Sequence, residues 1–595
     1  MKRKGIFIVG LIVLISVPLS AGIGFAVPEN AEITFDKYHR YDEMTAILKD
    51  LAQNHKDICR LYSIGKSLKG KDIWLMEITN YRTGDATAKP AIYCDGNIHA
   101  GEVTGAETAL HNIYFLLSQY GEDKMVTHLV DHFTFYIVPR LNPDGSELYL
   151  GTPLSLRSSV RPYDNDQDGK LDEDPPNDLN DDGVLSQMRI KDPDGAWVTS
   201  PKDSRLMVRR KEGEPGEWRL LRSEGIDDDG DGRLNEDGPG GLDINRNYPA
   251  RWQLAHKQRG GGRYPLSEPE TRAEVDFIFD NPNIAMTEAY HTAAGVILRP
   301  FCNQPDSEFP PEDKRLYDAI GNKGTSITGY SYGSVYEDFT SNKAYPRWGV
   351  FVDWGYLHYG VTSFSTELWG SQYAGKDYNE DGKITEEERL RWSDEELDGA
   401  GFIPWKSFKH PQYGEIEIGG WQYKFISQNP PPKYLLQEVQ KNTYFFLYRA
   451  SELPLMRIDQ MKVTPIEGGV FKVEATVANK GGIPTALQMA EAIKINQPDR
   501  VILSSSNNVV LLSGKKTTEI GNLKGQLHKA ALPSQRMMMF MAVGEAEDPT
   551  AKSLQWIIHL KNGKEGWIKL TVLSEKGGTN SYTIKLRKGM KETSY

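Results

Sequence analysis

The sequence predicts a mixed α/β domain, in which helices flank a sheet, followed by an all-β sandwich domain. Up to about residue 453, apolar runs of strand length alternate with segments of helical periodicity. This alternation is typical of a sheet covered by helices on both faces. After Leu453 and Pro454 the runs become short and mostly alternate apolar with polar residues, with turn residues between them. That second pattern is typical of an antiparallel sandwich.

The periodicity also predicts the elements of the first domain in chain order. Before residue 150 they are a helix at 35–55, strands at 61–67, 72–79 and 90–96, a helix at 101–120, a strand at 132–139 and a turn at 142–145. Residues 150–240 are rich in Asp, Gly and Pro and have little periodicity, which indicates a long insertion. Beyond it we expect a helix at 268–280, a strand at 283–290, a helix at 312–326, a strand at 361–368 and a closing helix at 433–451. The predicted domains are therefore 30–453 and 455–595.

The N-terminal segment has the layout of a secretory signal peptide. Lys2, Arg3 and Lys4 precede an apolar run, and small residues lead to Ala26, after which we expect cleavage. The alternative is an uncleaved membrane anchor, because the run is nearly long enough to span a bilayer. We therefore expect a secreted or extracytoplasmic protein, with no stable membrane span once residues 1–26 are removed.

The charge of the chain bears on its partners. The formal net charge of −12 at pH 7 argues against nucleic acid, because a nucleic-acid binder needs a basic surface to displace phosphate counterions. Much of the acid lies in short Asp-rich segments within 164–237 and at 377–388. Clustered carboxylates either solvate a loop or bind hard cations, and their spacing decides between these two uses.

A metal site is indicated by His99 and Glu102, which lie where a predicted strand passes into a helix. The i, i+3 spacing lets the two side chains converge, and an imidazole with a carboxylate suits zinc. Catalytic zinc sites commonly combine two histidines with one glutamate and leave a position open for water. His291 follows the predicted strand 283–290, and strand ends are where α/β sheets gather ligands. By itself His-x-x-Glu is a weak signal, because one of 12 histidines is easily paired with a carboxylate by chance.

Five short segments surround these candidates in a fixed order. They are GNIHAGE (96–102), NPDG (142–145), DINRN (243–247), YHT (290–292) and FSTELW (364–369). In this order they resemble the zinc metallocarboxypeptidases of the carboxypeptidase A type, and the resemblance spans about residues 35–450. It implies a carboxypeptidase-like fold, one zinc ion held by the three candidate ligands, and peptide or protein C-termini as substrates.

The resemblance implies roles for four further residues. Asp243 resembles the carboxylate that orients a zinc histidine, and such partners fix the tautomer and direction of the ring. Asn245 and Arg246 resemble the clamp for the free C-terminal carboxylate of the substrate, where a planar guanidinium can donate two parallel hydrogen bonds. Glu367 resembles the general base that activates the zinc-bound water.

The family also has an arginine that polarises the scissile carbonyl. The resemblance matches it to Arg189, in the sequence Ser-Gln-Met-Arg, with Arg205, Arg209 and Arg210 as competitors. The Asp-rich loops that precede Arg189 are insertions relative to compact family members. The match at Arg189 therefore depends on an alignment carried across these insertions.

Two further positions concern the substrate pocket. Tyr345 resembles the mobile tyrosine that closes over the bound terminus, although Arg347 and Trp348 depart from the usual small residues. Val352 stands at the position that helps to set specificity in the family. An apolar residue there favours neutral or hydrophobic C-terminal residues over Lys or Arg.

Several Asp-rich loops predict calcium. Segment 377–388 fits the twelve-residue EF-hand loop, and its candidate ligands are Asp377, Asn379, Asp381, Lys383 and Glu388. Two other segments share the first half of the pattern, and their candidate ligands are Asp164, Asp166 and Asp168, and Asp227, Asp229 and Asp231. They lack Glu at the twelfth position, so other acids such as Asp174 and Asp237 must help. A fourth, weaker copy at 178–183 leads towards Arg189, which suggests that calcium positions that arginine.

Two other functions remain open from the sequence. One is a zinc amidohydrolase that acts on cell-wall peptides or amino-acid conjugates; the Asn-Arg-Asn clamp favours a free carboxylate instead. The other is a calcium-dependent binding protein with an inactive enzyme domain, which the intact set of zinc ligands and Glu367 argues against.

Overall fold

The computed structural model describes residues 33–530 and 548–594, apart from 562 and 564. The architecture lies within the unit Phe35–Tyr595. The predicted signal peptide at 1–26 lies outside the described residues, so it stays a prediction. Within the described part of the chain, no helix combines the length and the apolar character needed to cross a bilayer.

The largest sheet of the described residues is mixed and has eight strands. Their spatial order is Cys59–Lys66, Asp72–Ile78, Thr134–Val138, Ala91–Gly96, Ile284–Thr292, Thr362–Leu368, Val296–Arg299, Ser331–Ser334. The four strands in the middle of this order run parallel. The two strands before them pair antiparallel, and Val296–Arg299 on the other side is antiparallel to Thr362–Leu368 and parallel to Ser331–Ser334. The middle strands are buried on both faces, as their continuous apolar runs predict.

Helices cover both faces of this sheet, which confirms the predicted fold class. Successive residues of a strand point to opposite faces. The Tyr93 hydroxyl donates to Glu274 on one side at 2.8 Å, and Asn112 donates to the Cys94 sulfur on the other side at 3.9 Å. The helices described before Pro454 lie at Tyr41–Asn54, Val103–Gln119, Lys124–His132, Pro143–Gly151, Pro269–Asp280, Pro311–Thr328, Phe351–Leu357, Glu386–Glu396 and Pro432–Ser451. Two short helices, Gln488–Ile493 and Gln526–Ala530, follow Pro454.

The predicted turn at 142–145 is in fact the start of a helix. The Asn142 side chain accepts a hydrogen bond from the Gly145 N–H at 3.0 Å, and Pro143 takes the first helical position. Asn at the N-cap and Pro at the first position are both favoured at helix starts. The same four residue types therefore serve a turn and a helix start equally well.

The insertion contributes to a sheet that the sequence pattern does not predict. The six strands of this sheet, in spatial order, are Phe402–His410, Gly414–Trp421, Gln187–Lys191, Trp218–Ser223, Trp197–Thr199 and Met207–Arg209. Two of them are only three residues long, too short to show a period. The insertion is therefore tied to a hairpin more than 150 residues further along the chain.

The strands after Pro454 form two packed sheets. One contains, in spatial order, Val509–Ser513, Ala551–Leu560, Val470–Asn479, Met456–Pro465 and Thr593–Ser594, and the other contains Thr517–Gly521, Asp499–Ser505, Glu565–Ser574 and Gly578–Arg587. Phe471 and Trp556 from the first sheet share one buried core with Ile568 and Leu570 from the second. This confirms the predicted all-β region, while the boundaries 30–453 and 455–595 stay predictions.

Candidate metal centre and substrate pocket

His99 and Glu102 lie on the tight connection between a central strand and a buried helix. The strand Ala91–Gly96 ends at Gly96, and Asn97 takes a left-handed conformation with φ of 62°. The Asn97 side-chain amide donates to the carbonyls of His99 and Ala100 at 2.7 and 3.0 Å. These bonds fix the connection, so that both candidate ligands are buried and the helix begins directly after Glu102.

His291 and Glu367 come from the ends of two neighbouring strands. His291 is the next-to-last residue of the strand Ile284–Thr292, and Glu367 is the next-to-last residue of Thr362–Leu368. The strands are parallel, and their register places Glu367 directly beside His291. His291 is buried, whereas Glu367 is half-buried and lines the pocket.

The ligand atoms of these three side chains converge on one point. His99 Nδ1 lies 2.8 Å from Glu102 Oε1, and His291 Nδ1 lies 2.8 Å from Glu102 Oε2. The two Nδ1 atoms are only 3.0 Å apart. Two imidazole nitrogens and a carboxylate aimed at a common centre form the donor set that catalytic zinc sites use. The residues present therefore fit a zinc ion, with His99, Glu102 and His291 as its ligands.

Asp243 holds the outer side of the His99 ring. Asp243 Oδ1 lies 3.1 Å from His99 Nε2, and it also accepts the Asn245 N–H at 2.9 Å. Burial alone would raise the pKa of Asp243, but Arg246, Arg157 and His99 together hold it well below its usual range. An ionised Asp243 accepts a hydrogen bond from the Nε2–H group of the neutral His99 ring, which leaves Nδ1 free as a ligand.

One open pocket joins the metal group to the predicted substrate clamp. Its volume is about 360 Å³, which lies near the lower end of the usual range for ligand sites. His99, His291, Asn245, Arg246 and Glu367 all line it. The Arg246 side chain is largely buried, and its Nη1 donates to the Asn245 carbonyl at 2.6 Å.

A family model described as zinc carboxypeptidase matches residues 44–181 and 188–392, which is more than half of the chain. The chain belongs to the zinc carboxypeptidase family. A second model, described as a domain of unknown function, matches residues 455–585.

Individual relatives match over shorter stretches. Mouse carboxypeptidase M is 37% identical over 125 residues, which cover 21% of this chain and 28% of the relative. Human carboxypeptidase D is 34% identical over 110 residues, which cover 18% of this chain and 8% of the relative. The chain thus spans less than a third of the length of these relatives. The solved structure of carboxypeptidase A from Helicoverpa armigera aligns at 16% identity with a TM-score of 0.43, over 70% of this chain and 74% of that chain.

The structure brings Arg157 to the pocket, a residue that the sequence reasoning missed. Its Nη1 donates to Glu102 Oε1 at 3.1 Å, and its Nε donates to Asp243 Oδ2 at 3.0 Å. The side chain remains 51% exposed, so it also faces the open pocket. Its place in the sequence, shortly before the first Asp-rich loop, is the signal that could have identified it.

The structure does not bring Arg189 to this pocket. Arg189 lies on the strand Gln187–Lys191 of the inserted sheet, where its Nε donates to Glu417 at 2.8 Å. Its guanidinium lies 4.0 Å from the ring centre of Trp218 and 4.2 Å from that of Trp405. These contacts give Arg189 a packing role in the insertion, and they remove the basis for a calcium loop that positions it for catalysis.

The two predicted pocket residues are placed differently. Val352 is buried and lines the pocket, together with Val350 and Leu298. Tyr345 is 78% exposed and does not line the pocket. Arg347 does line it; its Nη1 donates to Thr340 at 2.5 Å, and its guanidinium lies over the Phe339 ring.

The electrostatics of the pocket suit a proton acceptor at Glu367. Burial raises the pKa of Glu367, and the neighbouring carboxylate of Glu102 raises it further. A carboxylate with a raised pKa is a better general base near neutral pH than an ordinary surface glutamate.

The acids of segment 377–388 are folded as a closed loop. Asp377 accepts the backbone N–H groups of Asp381 and Gly382, and Asp381 accepts that of Lys383. The Asn379 side chain also accepts the Asp381 N–H, and both oxygens of Glu388 accept backbone N–H groups of the loop. A helix begins at Glu386, as in an EF-hand. Calcium binding there stays a prediction.

Proposed function

We propose that this protein is a zinc-dependent carboxypeptidase that removes the C-terminal residue of peptides outside the cytoplasm. One observation carries the proposal: the buried group of His99, Glu102 and His291 faces the same pocket as Arg246 and Glu367. A metal group, a carboxylate clamp and a base that line one pocket are what hydrolysis of a terminal peptide bond needs. The extracytoplasmic location is supported by the signal-like sequence of residues 1–26.

Asn245 and Arg246 supply the recognition of a free terminus. The Arg246 guanidinium is fixed by its bond to the Asn245 carbonyl, and Asp243 lies 3.9 Å away. A preoriented guanidinium can donate two parallel hydrogen bonds to a carboxylate, which a C-terminal amide cannot accept equally well. The clamp therefore places the last peptide bond, and no internal one, beside the metal group.

The chemistry is divided between the metal and the side chains. When zinc is bound, it supplies Lewis-acid polarisation of the carbonyl and lowers the pKa of water. Glu367 takes the proton of the attacking water on its carboxylate and delivers it to the nitrogen of the leaving amine. Asp243 holds His99 in the tautomer that leaves Nδ1 free.

Arg157 takes the role that the sequence had matched to Arg189. Its guanidinium is held by the carboxylates of Glu102 and Asp243, and it faces the pocket beside Glu367. A guanidinium oriented in advance stabilises negative charge as it develops on the scissile carbonyl oxygen. Two carboxylate contacts fix its direction before the substrate arrives.

The pocket walls support a preference for neutral or hydrophobic terminal residues. Val352, Val350, Leu298 and Val335 belong to one apolar cluster that lines it. Arg347 adds a positive charge, which disfavours terminal Lys and Arg. Its contacts with Thr340 and Phe339 hold the guanidinium against the wall.

A panel of N-blocked dipeptides tests the proposal. We expect release of the terminal residue from free-acid substrates and at least a hundredfold slower release from the matching C-terminal amides. Among the free acids, we expect Leu and Phe to exceed Lys and Arg. Equal cleavage of acids and amides would contradict the carboxypeptidase proposal and favour the amidohydrolase alternative. A preference for Glu or Asp would show that Arg347 sets the specificity and that the apolar wall does not.

We further propose that segment 377–388 binds a calcium ion. The support is its EF-hand sequence and the closed loop in which the acids already accept backbone N–H groups. Glu388, at the twelfth position, would supply two oxygens to the ion.

A further inference from the structure

Two Asp-rich segments of the insertion, 164–174 and 227–237, are copies of one pattern. Both read Asp-x-Asp-x-Asp-Gly-basic-Leu-x-Glu-Asp. Their backbones match as well, because the fourth position has φ of 74° and 84°, and the ninth has φ of 55° and 56°. In each copy the first aspartate accepts the N–H of the sixth residue, at 3.1 and 3.0 Å. The insertion therefore contains a duplicated loop of one conformation.

The last residue of each copy is hydrogen-bonded to the first part of the other copy. Asp237, from the second copy, accepts the Asn165 N–H of the first at 3.2 Å. Asp174, from the first copy, accepts the Asp228 N–H of the second at 3.0 Å. Asp174 and Asp237 are also joined by an antiparallel bridge. The copies are thus related by a local twofold pseudosymmetry, and each one closes over the start of the other.

Five carboxylate oxygens at this junction accept no hydrogen bond within the described residues. Asp174 and Asp237 are both 0% exposed, and within the described residues the Oδ2 atom of each has no partner. The same is true of Glu173 Oε2 and of both carboxylate oxygens of Glu236. Burial of a carboxylate without a donor or a cation is costly. These atoms are therefore arranged for a positively charged ligand.

The ligand atoms converge in groups that mix the two copies. Asp164 and Asp166 lie with Asp237, and Asp166 lies with Asp231 and Glu236; in each group the carboxylate oxygens are within 4.8 Å of one another. Two groups lie within single copies: Asp166, Asp168 and Glu173 in the first, and Asp227, Asp229 and Asp231 in the second. All the ligand atoms are oxygens, and a site with many carboxylate ligands suits calcium, which takes six to eight oxygens, better than magnesium, which usually keeps several waters.

We propose that segments 164–174 and 227–237 form one paired calcium site that holds two ions. Each ion is bound by the acids of one copy and completed by the last aspartate of the other. Because the Ser159 N–H donates to the Leu242 carbonyl at 2.9 Å, the pair lies at the base of the insertion. Bound ions hold the two ends of the insertion together. Arg157 comes just before one end in the sequence, and the Asn245–Arg246 clamp comes just after the other. The paired site goes beyond the proposed peptidase activity and does not depend on it.

Calorimetric titration with CaCl2 of the full chain, washed with chelator and reloaded with zinc, tests this proposal. The background carries Asp178→Asn and Asp381→Asn, which disable the two other candidate loops. We expect two calcium ions per chain and a rise in melting temperature on calcium addition. Absence of calcium uptake in this background would overturn the proposal.

Asp237→Asn in the same background separates a paired site from two independent loops. Asn keeps an oxygen that accepts the Asn165 N–H but loses the charge. We expect both ions to bind at least tenfold more weakly, because Asp237 completes the site of the other copy and bridges to Asp174. Loss of one ion with the other unchanged would show independent loops and overturn the pairing.

A second variant covers the case in which Asp237→Asn does not fold. Asp231 is exposed, so Asp231→Asn leaves the buried junction intact, yet it shares a ligand group with Asp166 of the other copy. We expect the same joint weakening of both ions. The circular dichroism spectrum without calcium should match that of the parent, which separates lost binding from lost fold.

Discussion

Replacement of Glu367 by Gln is expected to lower kcat by about 10²–10⁴-fold, with KM for an N-blocked dipeptide changed only a few-fold. Gln has nearly the same size and keeps the packing beside His291, but it cannot accept the proton of the attacking water. The clamp at Asn245 and Arg246 is untouched, so substrate binding should persist. Steady-state hydrolysis of a free-acid dipeptide measures both constants.

The control for Glu367→Gln is a matched change away from the pocket. Glu122 is exposed, so Glu122→Gln should leave kcat, KM and zinc content unchanged. The zinc content of Glu367→Gln should also equal that of the unmodified chain, because Glu367 is not among the convergent ligands. Full turnover by Glu367→Gln would exclude it as the base.

The second large effect is expected at Arg157. Arg157→Gln should lower kcat/KM by about 10²–10³-fold, mainly through kcat, because it removes a donor directed at charge that develops during the reaction. Arg157 also contacts Glu102 and Asp243, so zinc content must be measured beside the rates. A loss of rate at full zinc occupancy identifies the effect as one on the reaction.

Arg189→Gln is the matched variant that decides between the two arginines. Its guanidinium lies between Trp218 and Trp405 and is paired with Glu417. Loss of this guanidinium should lower the melting temperature by several degrees, because a partly buried ion pair with Glu417 and the packing against two tryptophans are removed. We expect kcat within about threefold of the unmodified chain once folded protein is compared. A larger loss of kcat for Arg189→Gln than for Arg157→Gln would reverse the assignment.

The sequence predicts the parts of the fold that have long periodic elements. The helix Val103–Gln119 and the strand Ile284–Thr292 were both predicted to within about two residues, because their apolar runs are long and leave one interpretation. The inserted sheet was missed because Trp197–Thr199 and Met207–Arg209 are too short to carry a period. Its pairing with Gly414–Trp421 is set by tertiary contacts across a long stretch of chain.

The candidate site also contains residues that the sequence predicts and one that it does not. His99, Glu102 and His291 lie next to strand ends, so their convergence follows from the parallel sheet once its strands are known. Arg157 lies in an irregular connection, and the duplicated calcium-type loops separate it from the clamp by more than 80 residues. Sequence spacing could not show that the insertion returns to its own start, where Ser159 and Leu242 are hydrogen-bonded.

Zinc reconstitution tests the central claim most directly. The chain is stripped with a chelator, calcium is restored, and release of Leu from an N-blocked dipeptide is followed as Zn2+ is added in steps. We expect no release without zinc and a linear return of activity that stops at one equivalent per chain. The variant Glu102→Gln, which weakens one of the three convergent ligands, should need far more zinc. Full activity in the stripped chain, or saturation of Glu102→Gln at one equivalent like the unmodified chain, would contradict a catalytic zinc ion held by His99, Glu102 and His291.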